Sequence, residues 1–290
     1  MIIAILGPTA VGKTALSIAL AKHYKADIIN FDSMQVYEKL DIGTAKVTNE
    51  EMDGVVHHLL SFVPIEKNYS VYDYQKDARR IIDKLIKDNK NIILVGGTGL
   101  YLKATLFDYE FSEGTSYNSY DDLSNEEILD KIKSYKVEEL PHINNRKRLV
   151  RLLNKLENNE KITNNGNNLL YKDTVFIGLT TDRNVLYDKI NKRVDIMFNN
   201  GLLEEVESLK DSFKDSKALN TGIGYKEFIP YFSKEKSLDE VREDIKKNSR
   251  HYAKRQYTFF NHQFNVKWFK TDYDDFGKTI KDVIDYIDKM

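Results

Sequence analysis

Apolar residues fall along the chain in short dense runs separated by longer stretches of helical spacing. The first six residues, Met1-Ile2-Ile3-Ala4-Ile5-Leu6, are apolar without a break and stop at Gly7. A run this short reads as a strand covered on both faces, as in a parallel sheet. Comparable segments at residues 28–31, 92–95, 174–179 and 266–269 predict four more strands. Residues 13–24 are helix formers with Leu16, Ala19 and Leu20 on one stripe. Tyr74, Ala78, Ile81, Ile82 and Leu85 give residues 72–87 a helical period, with Ser70 as cap. Leu186, Ile190, Val194, Met197 and Phe198 share a third face, and Gly201 follows as a stop. Leu202, Leu203, Val206, Leu209 and Phe213 continue as another amphipathic helix. Ser237-Leu238-Asp239-Glu240 has capping-box spacing and opens a helix running to about Phe260. Strands alternating with helices predict an α/β fold: a parallel sheet with right-handed crossovers.

The pattern changes in residues 111–172, which are rich in Asn, Lys, Tyr, Ser and Glu. Ser124-Asn125-Glu126-Glu127 is a capping box for a short helix, and residues 145–156 predict another. Residues 157–168 are polar and Asn-rich and read as a loop. The expected organisation is an α/β core over 1–110 and 173–290, interrupted by a small helical domain over 111–172. There are no internal repeats.

Composition narrows the function. The 290 residues contain no cysteine, which rules out disulfides, thiolate zinc sites and cysteine nucleophiles, and suits a reducing cytoplasm. No apolar run is long enough to span a bilayer, and the N-terminal run lacks the basic start of a signal peptide. The net charge of −1 gives no global attraction to nucleic acid, so any polyanion site is a local patch. Two such patches exist. Arg146, Lys147, Arg148 and Arg151 lie in the insertion. Lys246, Lys247, Arg250, His251, Lys254 and Arg255 fall at spacings that share a helix face, interleaved with Tyr252, Tyr257, Phe259 and Phe260. Basic stripes with aromatic neighbours suit an RNA backbone and unstacked bases.

Gly7-Pro8-Thr9-Ala10-Val11-Gly12-Lys13-Thr14 fits the phosphate-loop pattern between a buried strand and a helix, giving a P-loop NTPase-like core. Backbone amides and the positive helix end form an anion site there. Lys13 adds a point charge, and the Thr14 hydroxyl is placed to ligate Mg²⁺. Asp32 ends the second strand, where it faces the ligand crevice as a general base or as a water-mediated Mg²⁺ partner. Gly96-Gly97-Thr98-Gly99-Leu100-Tyr101 leaves the third strand toward the same crevice. Either Arg183 or Arg193 is suited to clamp a phosphate. His57-His58 lacks a carboxylate at zinc-like spacing and is not read as a metal site.

Taken in order, these motifs resemble the tRNA dimethylallyltransferase (isopentenyl-tRNA transferase) family. The phosphate loop is followed by Asp32-Ser33-Met34-Gln35-Val36-Tyr37, Ile42-Gly43-Thr44-Ala45-Lys46, His57-His58-Leu59 and Gly96-Gly97-Thr98-Gly99-Leu100-Tyr101. Then come Arg193-Val194-Asp195, Gly201-Leu202-Leu203-Glu204-Glu205-Val206, Ile223-Gly224-Tyr225-Lys226-Glu227 and Tyr252-Ala253-Lys254-Arg255-Gln256. The resemblance implies transfer of a dimethylallyl group from dimethylallyl diphosphate to the N6 amine of the adenosine on the 3′ side of the anticodon. It implies that the phosphate loop and Mg²⁺ hold the diphosphate and that Asp32 takes the amine proton. It places Ser33, Met34, Gln35 and Thr98 near the acceptor nucleotide and Arg183 on phosphate. Lys147, Arg148, Leu149, Val150 and Arg151 of the insertion are expected on the anticodon stem-loop, with Lys254 and Arg255 as further tRNA contacts. A cytoplasmic monomer is expected. The chain departs from the family where it reads Arg151-Leu152-Leu153-Asn154 in place of Arg-Ala-Leu-Glu. It departs again at Tyr257-Thr258-Phe259-Phe260-Asn261, where a tryptophan and an arginine are usual. A phosphate-loop kinase and a non-catalytic RNA-binding protein are the rival readings.

Overall fold

The computed structural model describes residues 1–111, 118–137, 140–160 and 165–290. The chain divides into two compact units, one of Met1–Leu106 with Leu170–Met290, the other of Phe107–Leu169. These boundaries lie earlier in the chain than the change of composition at residues 111 and 172.

In chain order the first unit opens with β1 (Ile2–Leu6), α1 (Lys13–Tyr24), β2 (Ala26–Asn30), α2 (Asn49–Met52), β3 (His57–His58), α3 (Val71–Lys87), β4 (Asn91–Val95) and α4 (Gly99–Leu106). The second unit contains β5 (Phe107–Tyr109), α5 (Asn125–Ser134), α6 (Arg146–Glu157) and β6 (Asn165–Leu169). The first unit resumes with β7 (Thr174–Thr180), α7 (Arg183–Asn199), α8 (Leu202–Ser208), α9 (Lys217–Thr221), α10 (Ile229–Phe232), α11 (Leu238–Gln263), β8 (Lys267–Lys270) and α12 (Phe276–Ile287).

The six strands of the first unit form one parallel sheet in the order β3-β2-β4-β1-β7-β8. All five residues of β1 are buried between β4 and β7, which explains the unbroken apolar start. Ile3, Ile5, Leu16, Leu20, Ile28, Ile177, Val283 and Ile287 pack into one core that joins the sheet to α1 and α12. A second core, around Val36, Val194, Leu202, Leu219, Tyr225, Phe228 and Ile245, ties α7 and α11 to the segment after β2. The ligand crevice of such a sheet lies beyond the C-terminal strand ends.

Several elements differ from the sequence expectation. β3 is only two histidines. The His58 imidazole lies 3.0 Å from the Asp27 carboxylate, which also accepts Lys90 at 2.8 Å. His57 lies 2.9 Å from the Val55 carbonyl. The helix expected over 202–213 breaks at Leu209 into a 3₁₀ turn, Lys210–Lys214. The segment read as loop over 157–168 contains β6, paired antiparallel with β5, so the insertion is not wholly helical. Asn-Gly-Asn-Asn-Leu shows no apolar alternation for a pattern search to find. Residues 161–164 of that segment lie outside the described residues.

In the second unit, Ile128, Ile132, Leu149 and Leu153 form a small core between α5 and α6. Leu149 is fully buried there and Val150 packs against it, so the Leu149 side chain cannot be an RNA contact surface. Lys147, Arg148 and Arg151 are exposed. Arg146 is turned inward and donates to Leu123 and Tyr120 carbonyls. Asn154, where glutamate is usual, is buried. It donates to the Asn118 carbonyl at 2.9 Å and accepts the Asn118 amide at 2.8 Å.

Candidate active site

β1 delivers the chain into the phosphate loop with three residues at positive φ: Gly7 at +141°, Ala10 at +68° and Gly12 at +93°. Two of these must be glycine. A Cβ on Gly7 would lie 2.7 Å from the Leu179 carbonyl oxygen, and one on Gly12 would lie 2.6 Å from the Phe276 ring. α1 starts at Lys13, and its first-turn amides have no intrahelical acceptor. Together with the helix dipole they make an anion cradle. Gly7, Pro8 and Val11 are buried in its wall, while Thr9, Ala10, Gly12, Lys13 and Thr14 line a cleft of about 430 Å³. The loop is fastened from behind. The Thr271 hydroxyl donates to the Val11 carbonyl at 3.0 Å, and Tyr273 donates to the Ala10 carbonyl at 3.1 Å.

Lys13 donates to the Pro8 carbonyl at 2.6 Å. Burial and then the Arg193 guanidinium lower its pKa to about 7, with Asp32 acting the other way. Arg193 is itself lowered, chiefly by burial, and lines the same cleft. Arg183 does not line it. Arg183 sits exposed at the first turn of α7, with Nε 3.1 Å from the Tyr187 hydroxyl and its guanidinium 5.2 Å from that ring's centre. Arg193 lines the cleft together with Ile190, Val194 and Met197 of the same helix.

Asp32 lies two residues beyond the end of β2. Its Oδ1 accepts the Met34 amide at 3.0 Å, and Oδ2 accepts no hydrogen bond among the described residues. Ser33 donates its amide to the Thr98 hydroxyl at 3.0 Å, and Thr98 donates to the Ser33 hydroxyl at 3.1 Å. The two loops that follow β2 and β4 are thus joined beside Asp32. Burial and the Asp32 charge push the Tyr252 phenol well up, so it stays a neutral donor to the Gly97 carbonyl at 3.2 Å. Gln35 also lines the cleft and donates to the Thr44 carbonyl at 3.1 Å.

The Ile42-Gly43-Thr44 stretch is held by Glu205, a residue that carries no signal beyond the family motif. Its carboxylate accepts the amides of Asp41 (3.0 Å), Ile42 (2.7 Å) and Gly43 (3.1 Å), and the Tyr225 hydroxyl at 2.7 Å. Gly43 and Thr44 line the cleft. Glu205→Ala leaves three amides without their acceptor. It is expected to cost about 2 kcal/mol, seen as a fall of several degrees in Tm, with Glu205→Gln intermediate.

Of the basic face of α11, Lys246 is paired with Asp195 at 2.8 Å and Arg250 donates to Asn191 at 2.6 Å. Lys247, His251, Lys254 and Arg255 remain exposed. The face is therefore split between packing on α7 and solvent. Phe259 and Phe260, within the 257–261 segment that usually holds a tryptophan and an arginine, pack against Phe264.

The IPP transferase family model matches residues 35–263. A tRNA dimethylallyltransferase of Streptococcus agalactiae is 42% identical over 293 residues, covering 97% of this chain and 95% of that protein. The chain belongs to the tRNA dimethylallyltransferase family. Among solved structures, the full-length tRNA isopentenylpyrophosphate transferase of Bacillus halodurans is 37% identical, with a TM-score of 0.77 over 99% of this chain and 95% of that one. A eukaryotic dimethylallyltransferase described as acting on tRNA is 25% identical, with a TM-score of 0.78 over 99% of this chain and 79% of that one. The family model begins after the phosphate loop and Asp32, whereas these relatives cover 97% to 99% of the chain.

Oxygen donors suited to Mg²⁺ are present. The Thr14 hydroxyl lines the cleft and makes no hydrogen bond among the described residues, and the Asp32 carboxylate could reach such an ion through water. Hard oxygen donors of this kind fit a magnesium ion that takes its remaining ligands from substrate phosphate and water.

Proposed function

We propose that this chain transfers the dimethylallyl group of dimethylallyl diphosphate to the N6 amine of the adenosine 3′ to the anticodon in tRNA, releasing diphosphate, as a cytoplasmic monomer. The observation that carries this reading is one cleft lined by a carboxylate with an uncommitted oxygen, Asp32, and by two basic side chains, Lys13 and Arg193. That set serves both ends of the reaction. The amides of the phosphate loop, Lys13 and Arg193 stabilise the negative charge that develops on the leaving diphosphate. Asp32 orients the weakly nucleophilic amine and takes its proton as the new C–N bond forms. The adenine enters unstacked, as in other base-modifying enzymes, beside Ser33 and Thr98. Mg²⁺, held by Thr14 and the diphosphate, would supply further charge neutralisation. A kinase needs neither the Asp-Ser-x-Gln-x-Tyr segment nor a basic helix beside its phosphate loop.

The deciding assay incubates the protein with Mg²⁺, radiolabelled dimethylallyl diphosphate and unmodified tRNA. Label in RNA, absent from Lys13→Ala, supports transfer. No label with folded protein, together with stabilisation by ATP rather than by dimethylallyl diphosphate, would return the kinase reading.

The tRNA is proposed to lie on Lys254 and Arg255 of α11 and on Lys147, Arg148 and Arg151 of the second unit. Each phosphate contact releases counterions, so the plot of log affinity against log salt steepens with every contact. Lys254→Ala with Arg255→Ala is expected to weaken tRNA binding and reduce that slope by about 2. A slope equal to that of the unaltered chain would show that this face does not touch RNA.

A further inference from the structure

Gln256 of α11 is 4% exposed and has no place in the chemistry described above. Its Oε1 accepts the Thr9 amide of the phosphate loop at 3.1 Å. Its Nε2 donates to the Gly97 carbonyl at 3.0 Å. A Cβ on Gly97 would fall 2.5 Å from that Nε2, so the glycine admits the amide against the backbone. Tyr252, one turn earlier, donates to the same carbonyl at 3.2 Å. Thr98, the next residue, holds Ser33 beside Asp32. One buried side chain therefore spans the loop that cradles diphosphate and the loop that fixes the base. An amide side chain offers a neutral donor and a neutral acceptor on one planar group, which suits it to bridge an N–H and a C=O.

We propose that Gln256 is a positioning residue that sets the register between the diphosphate loop and the Gly97-Thr98 loop, and hence between the donor carbon and the acceptor amine. This rests on the transfer reaction proposed above. Displacements of about 1 Å between reacting partners cost roughly a hundredfold in rate, with little change in how tightly each partner is held. The bridge acts on relative placement, so its loss is felt in kcat.

The test is Gln256→Met, which keeps the volume and removes both hydrogen bonds, with Gln256→Glu alongside. The glutamate keeps an acceptor for Thr9 and loses the donor to Gly97, and it serves in place of the methionine variant should that one fail to fold. Steady-state transfer is measured with tRNA and dimethylallyl diphosphate varied in turn, together with Tm and tRNA affinity by filter binding. The expected result is a fall in kcat of roughly a hundredfold, with the tRNA KM within about twofold and no matching loss of folded protein. Tyr252→Phe, which removes the second donor to Gly97, is expected to show the same pattern more weakly. A kcat within about twofold of the unaltered chain would overturn the proposal, as would a loss that appears in KM or follows Tm alone. An unaltered chain that transfers no label would instead remove the reaction itself, an outcome distinct from an active Gln256→Met.

Discussion

Asp32→Ala will lower the transfer rate severely while leaving tRNA bound. General-base assistance contributes roughly 10²- to 10⁴-fold, and kcat is expected to fall within that range. On the proposed role the loss falls on kcat, because a general base acts on a proton and not on phosphate charge. Its geometry supports the role: Oδ1 is fixed by the Met34 amide, while Oδ2 is left for the incoming amine. Asn30 steadies the same turn by accepting the Asp32 amide at 3.1 Å. Asp32→Asn keeps this shape and removes only the basicity, so it should be nearly as inactive as the alanine variant. Filter binding of tRNA to either variant should match the unaltered chain within about twofold. Transfer rates that survive in Asp32→Asn would show that another group takes the proton.

The sequence revealed those features whose physics is local. A strand buried on both faces must be apolar throughout, so β1 and β4 stood out. A phosphate loop needs its glycines at fixed spacing, so Gly7, Gly12 and Lys13 stood out as well. The cap at Ser70 and the capping boxes at Ser124 and Ser237 require only nearby side-chain oxygens; all three form, and Ser70 completes a capping box with Asp73. Features that depend on distant segments were hidden. β3 is a strand only because β2 offers Ile28 and Ile29 as partners to two histidines. β6 is polar, and its partner β5 lies on the far side of the insertion. The choice of Arg183 over Arg193 shows the same limit. Both are arginines on α7, and only the packing of that helix decides which one meets Lys13. Glu205 and Gln256 looked like ordinary polar positions in helices, although each satisfies backbone groups more than 150 residues away. The basic run on α11 was overcounted, because spacing alone cannot separate cations paired with α7 from cations left in solvent.

Lys13→Ala is expected to lower kcat/KM by roughly 10²- to 10³-fold, the range seen when one preorganised donor to a developing negative charge is removed. The accompanying pH dependence is the more specific result. Burial and Arg193 lower Lys13 to about 7 in the empty cleft, so its amine is largely neutral above that pH. A bound diphosphate places negative charge beside it and favours the ammonium form. Binding above pH 7 therefore takes up a proton, and affinity for dimethylallyl diphosphate should fall as pH rises, approaching about tenfold per pH unit. Below that point Lys13 is already charged and its contribution is flat. Asp32 opposes the shift, so Asp32→Asn moves the break in the profile to lower pH, which links the two variants in one measurement. Calorimetric titration with inorganic diphosphate from pH 6 to 9, in buffers of different ionisation enthalpy, counts the protons directly. Lys13→Ala supplies the baseline, since it reports only the titration of the ligand and of the remaining residues. An affinity profile for the unaltered chain that runs parallel to that of Lys13→Ala would show that Lys13 is charged throughout, and that its nearness to Arg193 is balanced by contacts other than Asp32.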